Sequence, residues 1–97
     1  MAKKVIWSDR AKFELYDLLE YWIQRNKSEE YSIKLNGLFD EAVEQIRKYP
    51  ESGKHSIDKE IRFIIVRDYL LFYEIREKII FILTIWDSRQ SPASLDL

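Results

Sequence analysis

The sequence contains no cysteine. That excludes a disulfide scaffold and cysteine-based zinc sites, and it fits a reducing cytoplasm. The single histidine, His55, has no second histidine and no carboxylate at ligand spacing, so the sequence offers no metal site. No apolar run approaches the roughly 20 residues needed to cross a bilayer. The N-terminus, Met1-Ala2-Lys3-Lys4-Val5-Ile6-Trp7-Ser8-Asp9, turns polar before a signal-peptide core could form. A basic surplus is missing too: 16 Lys and Arg stand against 17 Asp and Glu, for a net charge of -1. Proteins that neutralise many phosphates usually carry such a surplus or a basic patch. The expectation is a cytoplasmic protein with no membrane segment, metal or cofactor.

What is present is enough apolar material for one small domain spanning residues 1–97, with 46% hydrophobic and 14% aromatic residues. Lys4 to Trp7 reads as a short strand. Ser8 then suits a helix N-cap and Asp9 complements the helix dipole. Ala11, Leu15, Leu18 and Trp22 follow at helical spacing, widened by Leu19 and Ile23. This first helix is expected to end near Asn26, a residue that tolerates a left-handed C-cap. A second starts at Ser28, with Leu35, Leu38, Phe39, Ala42, Val43, Ile46 and Tyr49 on its apolar face. Pro50 and Gly53 close it. The short connection requires an antiparallel helical hairpin.

From Ile61 the period changes. Ile61–Val66, Leu70–Ile75 and Ile79–Trp86 are three β-rich runs separated by the polar breaks Arg67-Asp68 and Arg76-Glu77-Lys78. The predicted fold is α+β in the order β-αα-βββ, with a helical hairpin on one face of a small, mainly antiparallel sheet. The runs are almost continuously apolar where a sheet with one wet face would alternate. Both faces read as dry, yet one hairpin covers only one. The other face calls for a partner, a second copy or the C-terminal tail.

These residues carry a family likeness. The order of elements, Trp7-Ser8-Asp9-Arg10-Ala11 opening the first helix, and Tyr49-Pro50-Glu51-Ser52-Gly53 after the hairpin all contribute. So do Ile61-Arg62, Asp68-Tyr69-Leu70-Leu71-Phe72-Tyr73-Glu74-Ile75 and the ending Ile85-Trp86-Asp87-Ser88-Arg89-Gln90-Ser91-Pro92. Together they resemble the RelE/ParE superfamily of bacterial toxins from type II toxin–antitoxin pairs. The resemblance implies a folded toxin neutralised by a cognate antitoxin, as a heterotetramer with it or as a homodimer. Its target would be the ribosome, where RelE-like members cut mRNA, or DNA gyrase, which ParE-like members poison.

The resemblance is closer to the ParE-like branch. Leu70 stands where RelE-like nucleases carry an Arg, and Leu95 where some carry a tail Tyr. A ribosome-dependent endonuclease would need Arg62, Arg67 and Arg89 to converge on the sheet, because phosphoryl transfer requires charge stabilisation and proton transfer. The ParE-like ending has His and an acidic residue where this chain has Trp86 and Gln90. Arg62, Tyr73, Trp86 and Arg89 are the candidate contacts to target or antitoxin. Each has a structural alternative: a surface ion pair for Arg62, core packing for Trp86, pairing with Asp87 or a helix C-terminus for Arg89. Tyr73 is expected toward the open face, Trp22 in the core and His55 in a loop. Glu14, Asp17, Glu41 and Glu44 read as a solvated face. A non-toxic interaction module built on the dry sheet face is the third reading.

Overall fold

The computed structural model describes residues 3–58 and 60–90. Strand β1 (Lys4–Trp7) leads into helix α1 (Asp9–Asn26), which turns into α2 (Glu30–Lys48). A single 3-10 turn (Pro50–Ser52) precedes the two-residue β2 (Lys54–His55). Strands β3 (Ile61–Val66), β4 (Tyr69–Arg76) and β5 (Ile79–Asp87) follow. The predicted α+β order is therefore present, with β2 added: His55 lies on an edge strand and not in a loop.

The sheet runs β1-β5-β4-β3-β2. β1 pairs parallel to β5, and every other pair is antiparallel. The closing apolar run thus lies inside the sheet, with β1 on one flank and β4 on the other. Ser8 ties the start of α1 to this strand. Its hydroxyl accepts from Ala11 N–H at 3.0 Å and donates to Leu83 O at 2.8 Å. One serine thereby caps a helix and anchors it to β5.

Helix α1 ends at Asn26 as expected, but the left-handed cap falls to the next residue, and α2 starts at Glu30 and not at Ser28. Asn26 is still helical, and Lys27 takes the left-handed conformation with φ 55°. Ser28 accepts from Glu30 N–H at 3.2 Å, while Glu29 occupies the N-cap. Within the hairpin, buried Ser32 donates to Leu19 O at 2.5 Å, bringing the two backbones together. Tyr49 leaves the helical period at φ -127° and is 68% exposed, not part of the apolar stripe.

Neither glycine has positive φ, and among the described residues the left-handed positions fall to Lys27, Arg67 and Glu77. Arg67 and Glu77 are the first residues of the two tight hairpin turns, a place that usually favours glycine.

Leu35, Phe39 and Ile46 of α2 and Ala11 of α1 form the core with Leu71, Tyr73, Ile80 and Ile82 of the sheet. The opposite face is apolar as well: Ile61, Phe72 and Trp86 are buried there, with Phe63, Leu70 and Leu83 beside them. The two-sided apolar pattern of the strands is real. Its assignment to faces depends on an irregularity, however. Phe72 pairs with Thr84 and Tyr73 with Ile82, so Leu83 is an extra residue in β5. Strict alternation would put Trp86 on the same face as Ile80 and Ile82. The bulge instead turns Ile85 toward the hairpin and Trp86 toward the other side.

Candidate functional site

The end of β5 meets the flank of α1 in a cleft of about 470 Å3, lined in part by Glu14, Asp17, Tyr21, Tyr69, Trp86 and Arg89. The bulge builds its floor. Glu14 reaches from α1 and accepts from the Thr84 hydroxyl at 2.6 Å and from Ile85 N–H at 3.0 Å. Arg10, one turn earlier, lies 3.5 Å from the other carboxylate oxygen. Glu14 is therefore a structural acceptor for strand groups, not a solvated charge. A signal for this was present in the sequence: Glu14 falls three residues after Ala11 and four before Leu18, inside the buried stripe.

Arg89 is held by the turn that follows β5. Its backbone N–H donates to Asp87 Oδ1 at 2.9 Å, the local turn that aspartate favours. Its Nε and Nη2 donate to Asp87 Oδ1 and Oδ2 at 3.0 and 2.7 Å, a two-pronged ion pair. The guanidinium also lies 6.0 Å from the Trp22 ring centroid, within cation–π range. Trp22 in turn donates its Nε1–H to the Tyr69 hydroxyl at 2.9 Å. The guanidinium holds the Asp87 carboxyl below the usual carboxylate range, and the carboxylate raises Arg89 in return. Burial pushes the Tyr69 phenol up. The cation that the tail delivers is thus already compensated by a carboxylate two residues away.

Arg62 and Tyr73, opposite one another in the β3–β4 register, form a second constellation. Tyr73 is fully buried on the hairpin side, so its expected place on the open face is incorrect. The reason is its hydroxyl, which donates to Pro50 O at 2.7 Å and accepts from Gly53 N–H at 2.9 Å. Burial raises this phenol too. Arg62 Nη1 donates to Glu51 O at 3.1 Å and Gly53 O at 2.9 Å. Its guanidinium is thus engaged by backbone carbonyls, where the sequence suggested a surface ion pair. A Cβ on Gly53 would lie 2.4 Å from the Tyr73 hydroxyl oxygen, so glycine is needed here for close approach. Tyr49-Pro50-Glu51-Ser52-Gly53 is thus one folded unit with Arg62 and Tyr73.

Arg62, Arg67 and Arg89 do not converge. Arg67 sits in the β3–β4 turn, next to the end of β5, where Ser88 N–H donates to Asp68 O at 2.8 Å. Arg62 is five positions earlier on β3, about 17 Å away along the strand, and is bound to the Pro50–Gly53 turn. Trp86 is buried on the face opposite the hairpin, consistent with packing. Trp22 packs against the core and also forms the Arg89 contact. Leu95 and Pro92, which entered the sequence comparison, lie outside the described residues. Among the described residues no helix is long and apolar enough to cross a membrane, and no group of His, Cys, Asp or Glu is arranged to hold a metal.

The geometry can be set beside known proteins. No curated protein matches the sequence. Among solved structures, the chain is similar to one described as a chromosomal ParDE TA system from P. aeruginosa, at 17% identity and a TM-score of 0.75. That match covers 89% of this chain and 96% of the other, and it shows a shared fold. The model of one family, described as ParE toxin of type II toxin-antitoxin system, parDE, matches residues 5–92. That match takes in the capped α1, the Pro50–Gly53 unit with its Arg62 and Tyr73 anchors, and the Asp87–Arg89 turn. The chain therefore belongs to the ParE toxin family of type II toxin–antitoxin systems.

Proposed function

We propose that the protein is the toxin of such a pair, held inactive by a cognate antitoxin protein, and that it acts by binding a protein target of the DNA gyrase type. Family membership supports the toxin role. One observation carries the choice of mechanism. Of the three arginines that RNA cleavage would need, Arg62 is bound to backbone carbonyls far from the other two, and Arg89 is paired with Asp87. Phosphoryl transfer requires cations and a proton acceptor aimed at one phosphate, and Arg62 and Arg89 are engaged by other groups at separate places. The contact surface of this reading is the end of β5 around Arg89, together with the partly buried Phe63, Leu70 and Leu83 of the sheet face opposite the hairpin.

Inducing the protein alone in bacteria tests the toxin role. Growth should stop, and co-expression of the protein encoded by the neighbouring gene should restore it. Absence of any growth effect would sink the toxin reading. The target is tested by two measurements after induction. Inhibition of gyrase supercoiling by the purified protein and DNA-damage signalling support the gyrase reading. Codon-linked mRNA cuts by primer extension within minutes would replace it with the endonuclease.

A further inference from the structure

The face of the sheet opposite the hairpin is buried more deeply than its strands account for. Trp86, Phe72 and Ile61 are 9%, 3% and 6% exposed, yet among the described residues the cluster they form draws only on β3, β4 and β5. Strand neighbours shield the sides of a side chain and leave its top in water, so burial this deep requires a layer above. The loop before β3 does not supply it, because Ile57 is fully exposed.

The burial also has a direction. Trp86 pairs with Leu70 and Leu70 with Ile65, which makes one row across the sheet; Ile61 pairs with Glu74, four positions along β4. Ile61 and Ile65 share a face of β3, but Ile65 is 55% exposed. The covered residues thus lie on a diagonal from the end of β5, over Phe72, to the start of β3. That is the footprint of a narrow cover, not of a broad one.

The chain leaves the sheet at the head of this diagonal: β5 ends at Asp87, and the Asp87–Arg89 turn follows Trp86 directly. Residues 91–97, outside the described ones, read Ser91-Pro92-Ala93-Ser94-Leu95-Asp96-Leu97. Ala93, Leu95 and Leu97 alternate with Ser94 and Asp96, so an extended backbone puts all three apolar side chains on one side. Seven extended residues reach about 23 Å, and the diagonal, two strand spacings wide and four residues long, measures about 16 Å. The family match stops at residue 92, so the alternation at 93–97 lies outside what the family model describes.

We infer that residues 91–97 cross the open face of the sheet as an extended strap, with Leu95 over Phe72 and Leu97 beside Ile61. This segment is the occupant because it starts at the right place, is long enough and has one apolar side. The strap shields the apolar face from water in the free chain, and a partner that uses Phe63, Leu70 and Leu83 competes with it. The inference concerns the free chain and does not rest on the toxin reading.

The test is NMR on the isotope-labelled full chain. Nuclear Overhauser contacts should join the Leu95 methyls to the Phe72 ring and the Leu97 methyls to Ile61. In a mixture of labelled and unlabelled protein, isotope filtering should show that these contacts are within one chain. Leu95→Asp combined with Leu97→Asp should uncover the face and raise the emission of bound anilinonaphthalene sulfonate at least about twofold. Ser94→Asp, on the outward side of the strap, should leave that emission unchanged. The core between hairpin and sheet is untouched by these variants, so they should fold, which circular dichroism verifies.

Four outcomes would overturn the inference. One is the absence of any contact from Leu95 or Leu97 to the open face in the unaltered chain. A second is contacts found only between differently labelled chains, which would assign the cover to a second copy. A third is contacts to Ile64–Val66 along the β3 edge in place of Phe72 and Ile61. The last is dye emission indifferent to the double substitution. None of these readouts depends on growth inhibition, so failure here and failure of the toxin reading are separable.

Discussion

Glu14 of α1 closes the bulge of β5: one carboxylate oxygen accepts from both the Thr84 hydroxyl and the Ile85 backbone N–H. A bulge leaves a strand N–H without its ladder partner, and the helix packed above supplies the acceptor. The bulge decides the direction of Trp86, so this helix-to-strand contact also shapes the cleft.

Removing that acceptor should loosen the strand end. Glu14→Ala leaves the Ile85 N–H and the Thr84 hydroxyl dependent on water and should destabilise the protein by about 2 kcal/mol. Glu14→Gln keeps a carbonyl acceptor and should lose less than half of that. Urea unfolding gives the stability difference. Hydrogen exchange at Ile85 should accelerate in Glu14→Ala; an unchanged rate would refute the role assigned to Glu14.

The contact of Tyr73 with Gly53 predicts non-additive mutations. Tyr73→Phe removes a hydroxyl that makes two hydrogen bonds and should destabilise by about 1–2 kcal/mol. Gly53→Ala forces a methyl against that hydroxyl and should destabilise by about 1–3 kcal/mol. With Tyr73→Phe already in place the closest clash is gone, so the double variant should be more stable than the sum predicts by at least about 0.5 kcal/mol. A double-mutant cycle in urea measures this, and strict additivity would contradict the geometry.

The Asp87–Arg89 pair predicts the acid limb of stability. The folded pKa of Asp87 is depressed below its unfolded value, chiefly by the hydrogen bond from Arg89. Its stabilisation is therefore present above about pH 4, the unfolded value, and is lost as pH falls through the lower folded value. The Arg89 side chain is half-exposed, so solvent screening keeps the contribution small. Arg89→Ala should lower Tm slightly at pH 7, and the part of that difference due to Asp87 should shrink as pH falls below about 4. The phenols of Tyr69 and Tyr73 act at the other extreme. Burial raises both, so stability should decline as pH rises past about 10, where the unfolded chain releases those protons first. Thermal melts across pH check both limbs.

The left-handed turn residues predict a gain. Glu77 has φ 56°, a conformation disfavoured by about 1–2 kcal/mol for a residue with a Cβ. Glu77→Gly removes that strain at an entropic cost of about 0.5–1 kcal/mol. The net should be a stabilisation of about 0.5–1 kcal/mol, read as a rise in Tm. A destabilised variant would indicate that the Glu77 side chain matters more than its backbone.

Local chemistry made much of the fold legible. Ser8 and Asp9 announce the start of α1, and the stripe Ala11, Leu15, Leu18, Trp22 marks its buried side. The polar breaks Arg67-Asp68 and Arg76-Glu77-Lys78 mark the hairpin turns, the second one residue too wide because Arg76 still belongs to β4; these signals depend only on near neighbours. The continuous apolar runs of β3–β5 foretold two dry faces. Which residue lies on which face was beyond that reading. Alternation has a period of two, and the single extra residue Leu83 reverses the order for everything after it.

The site follows the same division. Composition excluded cysteine chemistry and gave no basic surplus, and the ordering of motifs pointed to the family. Only the tertiary structure decided what the individual side chains do. It buried Tyr73 beneath the Pro50–Gly53 turn, bound Arg62 to carbonyls of that turn, paired Arg89 with Asp87 over Trp22, and brought Glu14 to a strand far away in sequence. A side chain's pattern position tells which surface it starts from. Its partner is set by chain segments that meet only when the hairpin packs on the sheet, and there hydrogen-bond geometry and burial choose between contact residue and structural anchor.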